Sequence, residues 1–145
     1  MVISFYKVSD EYGCFSNFSF HGFKLDDKWW ITSENYFQAQ KFHGTLYEEK
    51  IRLLDSPLKA AQIGRCRGLP LREDWEQVKD DIMRKAVYAK FTQNKEIQRI
   101  LLSTGKNIIV EKTIDDYYWG CGKDGTGKNM LGTILMETRE VIRLL

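Results

Sequence analysis

The chain of 145 residues carries 22 basic and 20 acidic side chains, which leaves a net charge of +2. This length suits one domain with its own core, 1–145, and the balanced charge argues against nucleic-acid binding through a broad basic surface. The three cysteines are too widely spaced to suggest a disulfide framework, and no apolar run reaches the length of a signal peptide or a membrane span. We therefore expect a soluble, cytoplasmic protein with no membrane partner.

The first thirty residues predict short strands. Residues 2–6 are apolar and partly β-branched, which favours a strand, and residues 18–31 show a hairpin pattern around Asp26 and Asp27. In the turn-rich stretch before this hairpin, Asn17 stands between two phenylalanines. Its amide is either a turn former or a group that reads the edge of a flat heterocycle stacked nearby.

The stretch 30–42, WITSENYFQAQKF, predicts a helix, because two good N-cap residues are followed by a run without Gly or Pro. At about 100° per residue, Glu34, Gln38 and Lys41 fall on one stripe, which phenylalanines flank on both sides. A carboxylate and an amine framed by aromatic rings are partly desolvated, so their charges act more strongly on a bound reactant than they would in water. The alternative is structural, since Glu in the first turn and Lys in the last turn both stabilise the helix dipole.

Caps and apolar spacing predict five further helices. Four begin after Thr45, Ser56, Asn94 and Asn129, and a longer one with an apolar stripe runs from about Glu73 to Phe91. Residues 107–111 predict a buried strand. Because strands do not alternate regularly with helices, we expect an α+β fold, a single helix-rich domain with a small antiparallel sheet.

Two loops contain groups that suit a phosphate. One carries Arg65, Arg67 and Arg72, which are either a clamp for phosphate oxygens or solvated loop charges. The other is a Gly-rich loop that leads into Asn129, and it either exposes backbone N–H groups to an anion or is an ordinary surface loop. Its matches to a dinucleotide fingerprint and to a P-loop lack the strands, and for the P-loop the hydroxyl, that these motifs require.

No metal site and no cofactor are predicted. The two histidines lie far apart and no CxxC or HxxxH spacing occurs. A catalytic Cys–His pair has no local signature either.

Several motifs together resemble those of the YbiA/NADAR family of N-glycosidases. They are WITSENYFQAQKF, the GR loop with LREDWEQVK, KFTQN, and YWGCGKDGTGKNMLG with LMETR, and they span essentially the whole chain in the family's order. The resemblance implies a small, metal-free, helix-rich α+β protein that cleaves N-glycosidic bonds to ribose. It implies two groups of substrate: phosphorylated ribosylaminopyrimidines of the riboflavin pathway, which are small molecules, or ADP-ribose attached to guanine, a base that nucleic acid can carry.

The same resemblance assigns site residues. Glu34 matches the family's essential glutamate, Lys41 matches a lysine with a proposed Schiff-base role, and Asp116 is a further catalytic candidate. Asn35 stands where many members carry His. The substrate-binding positions that the motifs and the two loops imply are Asn17, Trp30, Arg65, Arg72, Trp119, Gly120 and Asn129.

These assignments lead to a hypothesis for the reaction. An ionised Glu34, favoured by its place at the helix N-terminus, stabilises positive charge at C1′ or activates water. Lys41 either protonates the leaving nitrogen or, if desolvation keeps it neutral, attacks C1′ to form an imine. The two tryptophans stack the heterocycle, while the arginine loop and the glycine turn hold phosphate. The alternative from another class is a non-catalytic module that binds ADP-ribose or a nucleotide.

Overall fold

The computed structural model describes residues 1–145 and contains six helices and four short strands. In chain order they are β1 (Val2–Phe5), β2 (Phe23–Leu25), β3 (Lys28–Trp30), α1 (Ser33–Gln40), α2 (Leu46–Arg52), α3 (Pro57–Gly64), α4 (Trp75–Gln93), α5 (Lys95–Ser103), β4 (Ile108–Glu111) and α6 (Met130–Arg143). The predicted α+β class is confirmed. None of the helices combines the length and the apolar character needed to cross a bilayer.

The strands form two separate pairs. β2 and β3 are antiparallel, and Asp26 and Asp27 between them have φ values of 55° and 63°, the left-handed conformation that a tight two-residue hairpin turn requires. β1 and β4 are parallel, with Val2 opposite Ile108. The predicted antiparallel pairing is therefore correct for the hairpin and wrong for the second pair. Only the hairpin carries turn chemistry that reveals orientation, because β1 and β4 lie far apart in the sequence.

Helix α1 lies at the centre of the fold. It packs against α2, α3 and α4, and all eight of its residues are buried. Its N-cap is Thr32, whose hydroxyl accepts a hydrogen bond from the backbone N–H of Asn35 at 3.0 Å. The amide of Asn35 donates to the carbonyls of Ile51 and Leu54 at 3.2 and 3.4 Å, which ties α1 to the end of α2. Asn35, which stands where many family members carry His, therefore lies in the core.

Helix α4 packs on α1 and α6 and carries the predicted apolar stripe. Trp75, Ile82, Ala86 and Ala89 of that stripe are buried. Lys90, four residues after Ala86, lies on the same face and is only 1% exposed. Its ammonium donates to the carbonyl of Ser16 at 2.9 Å, and burial lowers the pKa of Lys90 to about 7. A charge at this position is costly to the folded state.

We expect Lys90 to make stability depend on pH. Its pKa is lowered on folding from 10.5 to about 7, so the folded state binds fewer protons between these values and becomes more stable as pH rises. Against Lys90→Met, the free energy of unfolding of the wild type should rise by about 1.4 kcal/mol per pH unit within this window. Urea denaturation at several pH values measures this.

The Ser16 carbonyl keeps a partner in the variant, because the N–H of Ser19 also donates to it. Exposed Lys95 provides the matched control, and Lys95→Met should follow the wild-type pH profile. Parallel profiles of the wild type and Lys90→Met would contradict the burial of a titrating amine.

Candidate active site

A cavity of about 760 Å³ opens beside α1. Its walls come from the segments after β1 and before β2, from α1, from the end of α3, from α4, and from the end of β4 with the residues that follow it. The charged side chains that line it are Lys7, Glu34, Lys41, Arg65, Glu111, Asp115 and Asp116. A volume of this size suits a small-molecule ligand.

The predicted stripe of α1 forms one wall of this cavity. Glu34, Gln38 and Lys41 all line it, as the helical spacing predicts. The amide nitrogen of Gln38 donates to Oε2 of Glu34 at 2.8 Å, and the ammonium of Lys41 donates to the carbonyl of Gly64 at 3.2 Å. The carboxylate and the amine therefore share one site, and each has its own protein partner.

Glu34 is strongly desolvated. Its side chain is buried and burial raises the pKa of its carboxyl, against the opposing effects of the Gln38 hydrogen bond and of the nearby Lys41 and Arg65 charges. The helix N-terminus favours the ionised form of this carboxyl, and burial opposes it. A carboxylate with a raised pKa is a stronger base.

Lys41 lies in a mainly aromatic environment. Its ammonium is 6.0 Å from the ring centroid of Phe37 and 5.8 Å from that of Trp75. Burial lowers the pKa of Lys41; Glu34 opposes this shift and Arg65 adds to it. The neutral amine is thereby favoured.

The aromatic wall differs from the predicted one. Phe37 lines the cavity and packs edge-on against Trp119 at 5.2 Å between ring centroids, and Trp119 also lines the cavity. Phe42, at the other edge of the stripe, is buried against Tyr47 and does not line the cavity.

Asn17 and Asp116 both line the cavity, and the side chains of both also have hydrogen-bond partners within the protein. Oδ1 of Asn17 accepts a hydrogen bond from the Ser33 hydroxyl at 2.7 Å. Oδ1 of Asp116 accepts from the N–H groups of Tyr118 and Trp119 at 2.9 and 2.8 Å. One side of the Asp116 carboxyl is thus occupied, and the turn that it holds positions Trp119.

Trp30 does not lie at the cavity. It is 1% exposed, its indole N–H donates to the carbonyl of Leu25 at 2.9 Å, and its ring packs edge-on against Tyr36. The expected stacking of Trp30 on a heterocycle is therefore incorrect. Spacing in a strand does not distinguish an aromatic ring of the core from one that lines a cavity.

Arg72 also lies outside the cavity. Its guanidinium pairs with Asp74 at 2.7 Å and donates to the carbonyl of Gln40, while its backbone N–H donates to the carbonyl of Lys41. Arg72 therefore braces the end of α1 and does not clamp phosphate. Of the arginines in this loop, Arg65 alone lines the cavity.

The Gly-rich loop uses its own polar groups. The carbonyl of Gly120 accepts from the backbone N–H of Asn129, and the first amides of α6, Met130 and Leu131, donate to carbonyls of residues 118 and 119. The Asn129 side chain binds the backbone of β4, accepting from Glu111 and donating to Ile109. Gly120 and Asn129 are therefore structural, and the expected phosphate site at this turn is incorrect.

Glu111 is a cavity residue that the sequence reading missed, because it ends a stretch that reads as a buried strand. An ionisable residue at the end of a buried strand was the one sequence feature that could have indicated a cavity residue here. Burial, followed by repulsion from Asp116 and Glu34, raises the pKa of Glu111 to about 7.

Gly64 allows the amide of Gln38 to lie against α3. Oε1 of Gln38 is buried without a hydrogen-bond partner, and a Cβ at position 64 would lie 1.9 Å from it. We expect Gly64→Ala to displace this amide from Glu34 and to lower the free energy of unfolding by about 1–3 kcal/mol, as overpacking does. Urea denaturation measures the change. Gly64→Ala should cost little in a Gln38→Ala background; an equal cost in both backgrounds would contradict this contact.

A family model, several known proteins and a solved structure are similar to this chain. A family model described as NADAR domain matches residues 4–143. The chain is 52% identical over 143 residues to the N-glycosidase YbiA of Escherichia coli strain K12, which covers 99% of this chain and 89% of that protein. The NMR structure of E. coli YbiA matches with a TM-score of 0.91 and covers 99% of this chain and 85% of that chain.

Two further relatives extend the comparison. An N-glycosidase of Nostoc punctiforme is 48% identical over 146 residues, covering 99% of this chain and 94% of that protein. The riboflavin biosynthesis protein PYRR of Zea mays is 41% identical over 156 residues, covering 97% of this chain and 25% of that protein. By its family match and by these identities, the chain belongs to the NADAR family.

Proposed function

We propose that this protein is a hydrolase that cleaves the C1′–N bond of a phosphorylated N-riboside. The observation that carries the proposal is the pair Glu34 and Lys41, two desolvated groups of opposite charge that line one aromatic-walled cavity. Recognition alone does not need such a pair. The names of the relatives from E. coli and Nostoc punctiforme, both N-glycosidases, support the same activity.

Two leaving groups fit the proposal: the aminopyrimidine of a phosphorylated ribosylaminopyrimidine of the riboflavin pathway, and the guanine of an ADP-ribosylated guanine. The name of the Zea mays relative, a riboflavin biosynthesis protein, supports the first. The heterocycle would stack on Trp119, with Asn17 and Asp116 within the same cavity to contact its polar edge.

The phosphate would bind at the cationic side of the cavity. Arg65 lines the cavity and forms no ion pair, in contrast to Arg72, and Lys7 lines the same cavity. A guanidinium fork matches phosphate oxygens in two parallel hydrogen bonds. Binding of the phosphate to Arg65 would fix the position of the sugar, so that C1′ faces Glu34.

Glu34 would act on the charge that develops at C1′. As the C1′–N bond lengthens, positive charge spreads over C1′ and the ring oxygen, and a desolvated carboxylate stabilises it strongly. The raised pKa of Glu34 also equips it to take a proton from the attacking group. The hydrogen bond from Gln38 would hold the Glu34 carboxylate in one position for both roles.

Lys41 would supply the attacking group. Its lowered pKa favours the neutral amine, which can add to C1′, and ring opening then gives an imine that water hydrolyses. The alternative is direct attack by water, with Lys41 only as a charge near the reacting centre.

The experiment that tests the function is an assay for free sugar phosphate. The protein is incubated with a ribosylaminopyrimidine phosphate and, separately, with ADP-ribosylated guanine. Release of ribose 5-phosphate or of ADP-ribose supports the proposal and identifies the leaving group. Binding of either ligand without release would favour a binding module.

We expect Glu34→Gln to lose most turnover, with kcat lower by about 10²–10⁴-fold, because it removes both charge stabilisation and the base. The variant should still bind ribose 5-phosphate, since the amide keeps the shape of the carboxyl. Steady-state kinetics and calorimetric titration measure the two quantities. Glu96, in the first turn of α5, is the matched control for a helix-dipole role, and Glu96→Gln should keep full activity. Near-normal turnover of Glu34→Gln would reject this role.

We expect borohydride to trap a covalent adduct between Lys41 and the sugar, because reduction makes an imine permanent. Mass spectrometry of the protein incubated with substrate and reductant locates the adduct. It should be absent from Lys41→Ala and present in Lys95→Ala, whose substituted residue is exposed and outside the cavity. Product formation with no trapped adduct would instead indicate direct attack by water.

A further inference from the structure

The mechanism above leaves two carboxyls of the cavity without a task, Asp115, which is exposed, and Glu111, which is partly buried. Glu111 ends β4, and its backbone is held firmly: its N–H donates to Oδ1 of Asn129 at 3.0 Å, and its carbonyl accepts from the N–H groups of Thr113 and Cys121 at 3.1 and 3.0 Å. Its side chain lines the cavity and has no hydrogen bond or ion pair within the protein. A fixed backbone with an unpaired carboxyl in a cavity presents a group to a ligand.

The charged groups of the cavity act on Glu34 in opposite directions. Lys41 and Arg65 favour its ionised form, while Asp116 disfavours it. Burial and the charges of Asp116 and Glu34 raise the pKa of Glu111 to about 7. The other charged side chains that line the cavity are Lys7 and Asp115. A carboxyl in such surroundings holds its proton near neutral pH and gives it up to a stronger base.

We propose that Glu111 is the general acid that protonates the leaving nitrogen. This inference rests on the proposed function and identifies the source of the proton that the leaving nitrogen takes up. As the C1′–N bond breaks, its electron pair passes to nitrogen, which takes the proton of the Glu111 carboxyl. C1′ bonds to Nζ of Lys41, or to a water oxygen in direct hydrolysis, and the proton released by that nucleophile passes to Glu34. After water has released the sugar, Glu34 returns a proton to solvent and Glu111 regains one, so one water has been added across the bond.

The other proton carriers of the cavity suit this task less well. Arg65 does not give up its proton in proteins. In the imine route Lys41 is the nucleophile and its amine must be neutral, and Oδ1 of Asp116 is engaged by two backbone N–H groups. Lys41 and Glu111 then serve as separate nucleophile and acid, as in other glycoside cleavage.

The pH dependence of kcat for Glu111→Gln tests this role. In the wild type, kcat should fall as pH rises above about 7, because the acid loses its proton there. In Glu111→Gln we expect kcat at pH 6 to be lower by about 10²–10⁴-fold, KM to change little, and the fall at high pH to be lost. Glu111→Asp retains an acid and should recover part of kcat together with the alkaline fall.

Stability and a matched variant separate catalysis from folding. Because the pKa of Glu111 is raised on folding from 4.5 to about 7, the stability that it contributes is present below pH 4.5 and is lost as pH rises to 7, and Glu111→Gln should lack this dependence. Glu73 is exposed and outside the cavity, so Glu73→Gln should keep wild-type kinetics.

The possible results distinguish this inference from the proposed function. A wild type without turnover overturns both. An active wild type with Glu111→Gln within about twofold of its kcat, or with the alkaline fall retained in that variant, overturns only the role of Glu111. If Glu111→Gln does not fold, the pH dependence of kcat is measured for Glu111→Asp instead. An undiminished kcat in that variant, with the same alkaline midpoint as the wild type, would overturn the role of Glu111.

Discussion

The structure depends on the burial of a polar helix. Every residue of α1 is buried, although six of the eight carry hydroxyl, amide or carboxyl groups. Such groups need partners when they leave water, since an unpaired buried polar group is costly. Most of the partners come from neighbouring segments: Ser33 donates to Asn17, Asn35 to carbonyls at the end of α2, Tyr36 to Asp26 and Gln40 to Glu48. Within the helix, the amide nitrogen of Gln38 donates to Glu34. These bonds fix α1 within the core and leave one face of it to the cavity.

This arrangement accounts for the electrostatics of the site. The carboxyl of Glu34 lies on a buried helix, so protein groups take the place of the water that would solvate it. Gln38 provides one hydrogen bond, Lys41 and Arg65 favour the ionised form, and Asp116 opposes it. A desolvated carboxylate among such charges suits a reaction in which positive charge forms at one atom and a proton must reach another.

The sequence predicted the parts of this protein that follow local rules. Helical spacing was enough to place Glu34, Gln38 and Lys41 on one wall, and cap chemistry located the starts of α1, α2 and α3. It was not enough to tell Trp30, which fills the core, from Trp119, which lines the cavity. That distinction depends on contacts between segments far apart in the chain.

Loop function was harder to predict for a related reason. A Gly-rich loop before a helix exposes N–H groups to an anion only if the fold leaves them free, and here carbonyls of the same segment accept them. Glu111 was missed because a strand that reads as buried gives no sign of which end reaches a cavity. The raised pKa of Glu34 was not foreseen either, since its main cause is burial, which local sequence does not report.

The measurement that tests the central claim most directly is a crystal structure of the protein with ribose 5-phosphate bound. We predict that C1 of the sugar lies about 3–4 Å from the carboxyl of Glu34 and faces Lys41, as a near-attack geometry requires, with the phosphate on Arg65. A sugar bound with its C1 turned away from Glu34, or bound outside the cavity beside α1, would contradict the account.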